Sequence, residues 1–198
     1  MRNSAAERLD AGPSAEGGMT RLAFSQALQK CVDVDALLRK AGLSRTQIED
    51  THTRISVRSQ VLFLDLVAKA VDDDLLGFHL AQNFDLRMIG FLYYVLASSE
   101  TLGEALGRVA RYSSIVNEGF RVTVREGREI DVVLESVGIP RRLNRHQIEF
   151  SFATFIRACR EMEMARDVRK LHSEAENSSA PVPVGLPAPV GHRQPTAR

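Results

Sequence analysis

The sequence is poor in the residues and segments that mark a special environment. It has no tryptophan and only two cysteines, Cys31 and Cys159, which lie far apart and in helical patterns. Because they form no C-x-x-C or other metal-type spacing, we expect buried thiols in a reducing compartment. No apolar run reaches the roughly 20 residues that span a bilayer, and the first residues lack the apolar stretch of a secretion signal. These absences predict a cytoplasmic protein.

Net charge is nearly absent as well. With 26 basic and 25 acidic residues the formal charge is +1 at pH 7, so no overall positive potential points to nucleic acid or to an anionic membrane. Glutamates are interleaved with the arginines of the last predicted helix, which are Arg141, Arg142, Arg145, Arg157 and Arg160. We interpret these arginines as a solvated helix face. We expect no DNA binding by this chain alone and no membrane binding.

The motifs of common catalytic and cofactor sites are also missing. The sequence contains no G-x-S-x-G, no G-x-x-x-x-G-K-S/T, no G-x-G-x-x-G and no H-E-x-x-H. The acidic run at 72–74 lacks the glycine-containing loop of a calcium site, and carboxylates at a helix start are favoured by the helix dipole. For His79, in an apolar helix, a haem or metal ligand is one interpretation and a core-edge histidine the commoner one. We predict no enzyme activity, no catalytic residue, no metal and no cofactor.

What the chain does contain is a helical pattern over most of its first half. Residues 1–18 are polar and small, and we predict a flexible tail there. Apolar periodicity then predicts a series of helices, over about 21–31, around 34–41, around 47, over 57–71 and over 75–84. The strongest of these steps by four and three through Val57, Val61, Leu64, Ala68 and Val71.

The stretch 90–119 predicts two more helices joined by a capped corner. Thr101 precedes Glu104 by three residues, the spacing at which the hydroxyl caps a helix start and the carboxylate reaches back to the amide of the cap residue. Gly103 and Gly107 oppose helix formation by about 1 kcal/mol each. Two such glycines four residues apart predict close approach of another backbone, within the domain or, less commonly, at a subunit interface.

After Gly119 the apolar period changes from that of a helix to that of a strand. Residues 120–125 and 130–135 alternate between apolar and polar, which predicts an antiparallel β-hairpin with one apolar face. A long helix is then predicted over about 142–164. Its expected apolar face consists of Ile148, Phe152, Phe155, Cys159 and Met162.

The character of the sequence changes again after the long helix. Prolines recur between positions 181 and 195, without a helical stripe or an alternation. We predict a disordered Pro-rich tail over residues 169–198. The chain is thus predicted to hold one domain, residues 19–168, of the α+β class. This domain is mostly helical, with the antiparallel hairpin as an incomplete small sheet packed on helices.

Five blocks of the sequence point to a family when they are taken together. They are residues 37–43 (LLRKAGL), 73–80 (DDLLGFHL), 88–94 (MIGFLYY), 98–106 (SSETLGEAL) and the hairpin after Gly119. In order and spacing they resemble the N-terminal sensor domain of AraC-type transcriptional regulators, in the branch called arabinose-binding-like. The corner block, S-S-x-T-L-x-E-A-L, is the most specific of the five.

The resemblance implies a domain that binds a small effector or mediates dimerisation, in a family whose C-terminal helix-turn-helix units read DNA. This sequence departs from the pattern, because neither such units nor the later strands of the sensor domain follow the long helix. We expect a truncated or stand-alone sensor domain whose partners are a small-molecule effector and a second copy or a related regulator. The alternatives are an interaction protein that pairs with a full-length regulator and a non-functional truncated regulator. The family name is not taken to identify arabinose as the ligand.

Several side chains near the capped corner are candidates for the effector pocket. They are His79, Tyr93, Tyr94, Arg111 and Tyr112. A tyrosine offers an apolar ring with one polar group, the combination that lines many small-molecule pockets. Core packing with a satisfied hydroxyl is the alternative for these tyrosines.

Overall fold

The computed structural model describes residues 12–127 and 130–178. Its longer elements, in chain order, are β1 Ser14–Ala15, α1 Gly18–Gln29, α2 Val34–Lys40, α3 Arg45–Glu49, β2 Ile55–Ser56, α4 Val57–Val71, α5 Leu76–Gln82, α6 Phe91–Ala97, α7 Leu102–Val116, β3 Phe120–Glu126, β4 Ile130–Ser136 and α8 Arg145–Ser178. Two short 3-10 helices, Leu86–Ile89 and Arg141–Leu143, precede α6 and α8.

The predicted fold class is confirmed. Helices make up 63% of the structure, and the strands form two antiparallel pairs, β1 with β2 and β3 with β4. In the hairpin, the register runs from Phe120 opposite Ser136 to Glu126 opposite Ile130. Val122 on its apolar face is buried. The pair of β1 and β2 was not predicted, because strands of two residues are too short to show an alternation.

The segment before α1 is not the flexible tail that the composition predicts. Ala15 in β1 is only 2% exposed, and three backbone hydrogen bonds tie its neighbours to the start of α4 and the end of α7. These bonds, at 2.9 to 3.0 Å, run from Val57 N to Pro13 O, from Glu118 N to Ser14 O and from Glu16 N to Val116 O. Backbone bonding of this kind leaves no mark in the composition. Residues 1–11 lie outside the described part of the chain.

Helix α7 begins at the predicted cap. The hydroxyl of Thr101 accepts a hydrogen bond from the backbone N–H of Glu104 at 3.1 Å. The carboxylate of Glu104 reaches back one residue further than predicted, since it accepts from the N–H of Glu100 at 2.8 Å. It also accepts a bond from Arg108, one turn later. The cap therefore holds the corner between α6 and α7 as well as the helix start.

Helices α1 and α2 end in the same backbone motif with different residues. In each, the second residue after the helix has a positive φ, which is 55° for Cys31 and 69° for Gly42. The N–H of the next residue then bonds to a carbonyl of the last turn, at 3.1 Å in α1 and 2.9 Å in α2. Cys31 is exposed, contrary to the prediction of a buried thiol, because it lies beyond the end of its helix. Cys159 is half-buried.

Close backbone packing occurs at other glycines than predicted. Among the described residues, no atom lies within 4 Å of the position that a β-carbon would take at Gly103 or Gly107, so the prediction of tight packing there within the domain is wrong. A subunit interface at these glycines stays a prediction. At Gly77, by contrast, a β-carbon would overlap the backbone carbonyl of His146 at the start of α8.

Helix α8 buries a different face from the one predicted. The buried residues of its first turns include Gln147, Phe150, Thr154 and Ala158. The predicted stripe is only half-buried, and Phe152 is 38% exposed. Apolar periodicity misses this face because two of its members are polar. The helix also continues to Ser178, so residues 169–178 are not the predicted coil. Residues 179–198 lie outside the described range.

The core lies where α1, α2, α4 and α5 meet α6, α7, the hairpin and the first turns of α8. Its largest fully buried apolar side chains are Phe63, Leu38, Ile55, Leu64 and Leu76. The chain divides into a folded unit that ends at Met162 and a second unit from Glu163, which contains the rest of α8. Across the part of the chain described here, no helix is long and apolar enough to cross a membrane.

Candidate functional site

A cavity of about 150 Å³, partly open to solvent, lies in the first folded unit. Its apolar walls come from the region between α5 and α6, from α6 and α7, from the hairpin and from α8. The main apolar side chains are Phe84, Met88, Ile89, Leu92, Leu96, Val109, Val116, Phe120, Val122, Val132, Leu134, Phe150, Phe152, Phe155 and Ala158. Residues 15–19 close one further side. Nearly every major element of the second half of the unit therefore contributes to one apolar space.

A buried polar network borders this cavity. Gln60 of α4 and Asn117 at the end of α7 line the space, and both donate a side-chain hydrogen bond to Oε1 of Gln147, at 2.6 Å and 3.3 Å. Gln60 in turn accepts a bond from the hydroxyl of Thr20 at 3.0 Å. All four residues are at most 5% exposed. Since buried amides are costly without partners, this network ties α1, α4, α7 and α8 together.

Thr154 is a polar residue of the cavity whose bonding is incomplete, and Ser113 and Ser151 also line the space. It lines the space from the buried face of α8 and is 6% exposed. Its hydroxyl oxygen has no hydrogen-bond partner among the described residues. A buried hydroxyl normally has a partner. Thr154 thus places an available donor and acceptor on a mainly apolar wall.

The cavity carries almost no charge. No lysine, arginine or histidine lines it within residues 12–127 and 130–178, and Glu16 is the ionisable residue on its wall. The Glu16 side chain is exposed. An apolar wall with a few polar groups is the usual composition of a small-molecule pocket. The electrostatics here favour an uncharged occupant, because a buried charge is stable only with a partner.

The wall made by residues 15–19 is held by a carboxylate. Glu118 accepts hydrogen bonds from the backbone N–H of Ser14 at 2.8 Å and from its hydroxyl at 2.9 Å. The backbone bond from Ser14 lowers the pKa of Glu118 below its ordinary value, and the hydroxyl bond and the nearby charge of Arg54 lower it further. Arg54 also donates to the Ser14 hydroxyl at 2.8 Å. The segment that forms this wall of the cavity is therefore held by charge-assisted hydrogen bonds.

The five residues predicted for an effector pocket do not line this cavity. His79 lies on the surface, where its Nδ1 is 2.9 Å from the carboxylate of Asp73. Its ring is 46% exposed. In the region that the structure describes, no group of three or more histidine, cysteine, aspartate or glutamate residues is placed to hold a metal ion. His79 is therefore an exposed residue with a local partner in Asp73, and it belongs to no such group among the described residues.

The other four candidates lie on α6 and α7. The rings of Tyr93 and Tyr94 are 5.7 Å apart, and the guanidinium of Arg111 lies 5.5 Å from the ring of Tyr112. Phe91 joins the group, with its ring 5.8 Å from that of Tyr112. The structure thus pairs Tyr93 with Tyr94 and Arg111 with Tyr112, in an aromatic cluster whose Tyr93 and Tyr112 are half-buried against the core. Their assignment to an effector pocket stays a prediction.

Helix α6 separates the cavity from this aromatic cluster. Leu92 and Leu96 face the cavity, whereas Phe91 and Tyr94 are 56% and 66% exposed. Residues three or four apart share a helix face, so the two pairs occupy different sides of a helix of two turns. A displacement of α6 by an occupant of the cavity would therefore move the exposed aromatic residues as well.

The comparison with known families identifies the type of domain. Residues 32–172, more than two thirds of the chain, match the family described as the arabinose-binding domain of AraC transcription regulators, N-terminal. The chain belongs to this family. No DNA-binding domain was detected in the 198 residues, and no curated protein matches the chain significantly. The resemblance seen in the sequence blocks is thereby confirmed.

Membership of the AraC regulator family places the cavity in a regulatory, non-enzymatic domain. Most of its lining lies within the matched residues, from Gln60 to Ala158, whereas residues 15–19 precede the match.

Sequence reasoning missed Gln60, Gln147 and Thr154. The signal that could have indicated them is a polar residue at an apolar position, because Gln60 lies three residues from Val57 and four from Leu64 in the stripe of α4.

Proposed function

We propose that this domain binds a small effector in the apolar cavity, and that this binding changes the association of a transcriptional regulator. The observation that carries the proposal is the cavity itself, which is bounded by α6, α7, the hairpin and α8 in a domain of the AraC regulator family. An occupant would contact all of these elements at once. Their relative positions would then depend on whether the cavity is filled.

Ligand binding to the folded state stabilises it by mass action. At a free concentration of 100 times Kd the gain is about 2.7 kcal/mol, enough for a clear shift of the unfolding midpoint in a thermal scan. The test screens a panel of cellular metabolites against the full chain. We expect some member of the panel to raise the midpoint in a concentration-dependent manner.

A cavity-filling variant shows whether such a shift arises in this cavity. Leu96→Phe adds volume to the wall of the cavity, because Leu96 is buried and lines it. Leu62→Phe makes the same change on α4, where Leu62 is 41% exposed and is not part of the wall. The shift should persist in Leu62→Phe and disappear in Leu96→Phe. A panel without any shift, or a shift unchanged by Leu96→Phe, contradicts effector binding in this cavity.

The exposed cluster on α6 and α7 supports a second function, self-association. Phe91, Tyr94 and Ile115 on these helices are 56%, 66% and 48% exposed, and Tyr112 connects α7 to Phe91 through the ring contact. Exposed apolar clusters of this kind mark interaction surfaces. The occupant we propose is a second copy of this domain. A full-length regulator that contains a related domain is the alternative partner.

Light scattering coupled to size exclusion, over a range of concentrations, tests this second function. The wild-type chain should form dimers, and Tyr94→Glu should shift it to monomers because a charge would replace an apolar contact. Leu62→Glu, an equally charged change on exposed Leu62 outside the cluster, should leave the dimer intact. A wild-type chain that is monomeric at every concentration, or a dimer that survives Tyr94→Glu, would remove this surface from consideration.

A further inference from the structure

We infer that the cavity takes a small, uncharged and mostly apolar molecule, about the size of one aromatic ring, that carries a single hydrogen-bonding group. The inference rests on the proposed function, since it names the class of effector for the same cavity. Three properties of the described residues support it: the volume of the space, the absence of cationic groups on its wall and the incomplete bonding of Thr154.

The volume limits the part of a ligand that the cavity can enclose. An apolar cavity of about 150 Å³ is known to hold a benzene molecule, and this cavity has the same volume. Typical pockets for drug-sized ligands are larger, from about 300 Å³. A sugar such as arabinose is also disfavoured, because each of its hydroxyl groups would need a polar partner and the wall is mainly apolar.

The absence of cationic side chains on the described wall excludes an ionised acid as the ligand. A carboxylate in this space would lie among phenylalanine, valine and leucine side chains without a lysine, arginine or histidine on the described wall. Transfer of an ionised group into such surroundings is strongly unfavourable unless it is paired. Glu16, at the exposed end of the wall, adds repulsion for an anion. The neutral form of a ligand is therefore strongly preferred.

Thr154 supplies the hydrogen bond. Its hydroxyl is buried on the cavity wall and lacks a partner among the residues described. The amides of Gln60 and Asn117, by contrast, already bond to Gln147. A hydroxyl or amide group on the ligand can pair with Thr154 while the rest of the ligand fills the apolar space. A net gain of about 0.5–1.5 kcal/mol per hydrogen bond corresponds to roughly a two- to tenfold gain in affinity.

The test compares single-ring probes that differ in one substituent: benzyl alcohol, toluene, benzoate and benzylamine, with arabinose as a polar sugar. Binding to the full chain at pH 7 is followed by ligand-observed NMR titration. We expect benzyl alcohol to bind at least about tenfold more tightly than benzoate and about two- to tenfold more tightly than toluene. Benzylamine and arabinose should bind more weakly than toluene.

Two variants assign the hydrogen bond to Thr154. Thr154→Val removes the hydroxyl at nearly constant shape and should abolish the preference for benzyl alcohol over toluene, whereas Thr154→Ser should keep it. Thr123→Val is the matched control, because Thr123 belongs to β3 but does not line the cavity. If Thr154→Val does not fold, retention of the preference in Thr154→Ser and its loss in Thr154→Ala decide the same point.

The outcomes separate this inference from the proposed function. Tighter binding of benzoate, benzylamine or arabinose that Leu96→Phe abolishes would overturn the ligand class but leave effector sensing in the cavity intact. Failure of all five probes to bind also overturns the ligand class, while the metabolite panel decides effector sensing independently. A preference for benzyl alcohol that survives Thr154→Val would show that another group provides the hydrogen bond.

Discussion

Gly77 of α5 lies directly against the backbone carbonyl of His146, so that a β-carbon on Gly77 would overlap the carbonyl oxygen and carbon. Glycine is the one residue that permits this approach, because its α-carbon carries no side chain. The contact seats the start of α8 on α5. It therefore sets the position of the α8 face on which Gln147 joins the amide network and Thr154 lines the cavity.

The contact predicts that Gly77→Ala destabilises the domain. The added methyl group must displace backbone atoms rather than the end of a flexible side chain, and overpacking of this kind costs about 1–3 kcal/mol. Urea unfolding of the full chain measures the loss. A variant as stable as the wild type would mean that α8 can move away from α5 at little cost.

Gly107→Ala is expected to have the opposite effect. Gly107 lies inside α7, and a β-carbon there would meet no atom within 4 Å among the described residues. Alanine favours a helix interior over glycine by about 1 kcal/mol, so the free energy of unfolding should rise by about that amount. Gly103→Ala, in the first turn of the same helix, should give a smaller gain. Urea unfolding at low protein concentration checks both, and a loss of stability in either variant contradicts the expectation.

The positive φ at the ends of α1 and α2 predicts a pair of opposite effects. Cys31 adopts a left-handed conformation that is unfavourable for any residue with a β-carbon. Cys31→Gly should therefore stabilise the domain, by about 0.5–1 kcal/mol after the larger entropy of glycine in the unfolded chain is subtracted. Gly42→Ala, at the equivalent position of α2, should destabilise it by about 1 kcal/mol. Thermal unfolding of both variants measures the difference, and a shift of the same sign in both would contradict the argument.

The amide network predicts that a substitution of nearly constant size, Gln147→Leu, lowers the stability of the domain. Gln147→Leu removes the acceptor of the amides of Gln60 and Asn117 and leaves both donors buried. Each unpaired donor costs about 1–3 kcal/mol, and part of this cost is offset because the substitution also removes the Nε2 group of Gln147, which has no partner among the described residues. Gln29→Leu, the same change at an exposed position of α1, should alter stability by at most about 0.5 kcal/mol. Equal effects of the two changes in urea unfolding would show that the network contributes nothing specific.

The lowered pKa of Glu118 in the folded protein predicts that stability depends on pH. Its pKa is lowered in the folded protein, first by the backbone hydrogen bond from Ser14, so the unfolded chain binds more protons between the two pKa values. The contribution of Glu118 to stability is therefore complete above the pKa of the unfolded state and is lost as the pH falls through the folded value. Glu118→Gln should flatten the acid side of the stability profile.

The measurement for Glu118 is chemical unfolding at a series of pH values between 7 and the acid range. Glu135→Gln, the same change at an exposed position of β4, controls for the loss of one negative charge. A profile of Glu118→Gln that parallels that of the wild type would mean that the bonds from Ser14 do not favour the ionised carboxylate.

The sequence predicts those elements whose signals are local. The stripe of α4 and the alternation of the hairpin repeat over many residues, and the Thr101 cap depends on a spacing of three. The face of α8 does not follow, because Gln147 and Thr154 are polar residues on a buried side. Gln60 and Gln147 are 87 residues apart, so the bond that makes their burial favourable exists only after the chain has folded.

The candidate site was less predictable than the fold for a related reason. Tyrosines near the corner suggested a pocket from residue type, yet the exposure of a side chain depends on which face of α6 packs inward. Leu92 and Leu96 pack inward, which leaves Tyr94 outside. His79 has a partner six residues away in Asp73, and such short-range pairing competes with a role in a distant cavity.

The wall formed by residues 15–19 has a consequence for comparisons within the family. These residues belong to the cavity but precede residue 32, where the family match begins. Two proteins with identical sequences over the matched region can therefore present different surfaces to the same ligand. If the proposed effector binds in this cavity, its specificity has a determinant that an alignment of the matched residues alone does not contain.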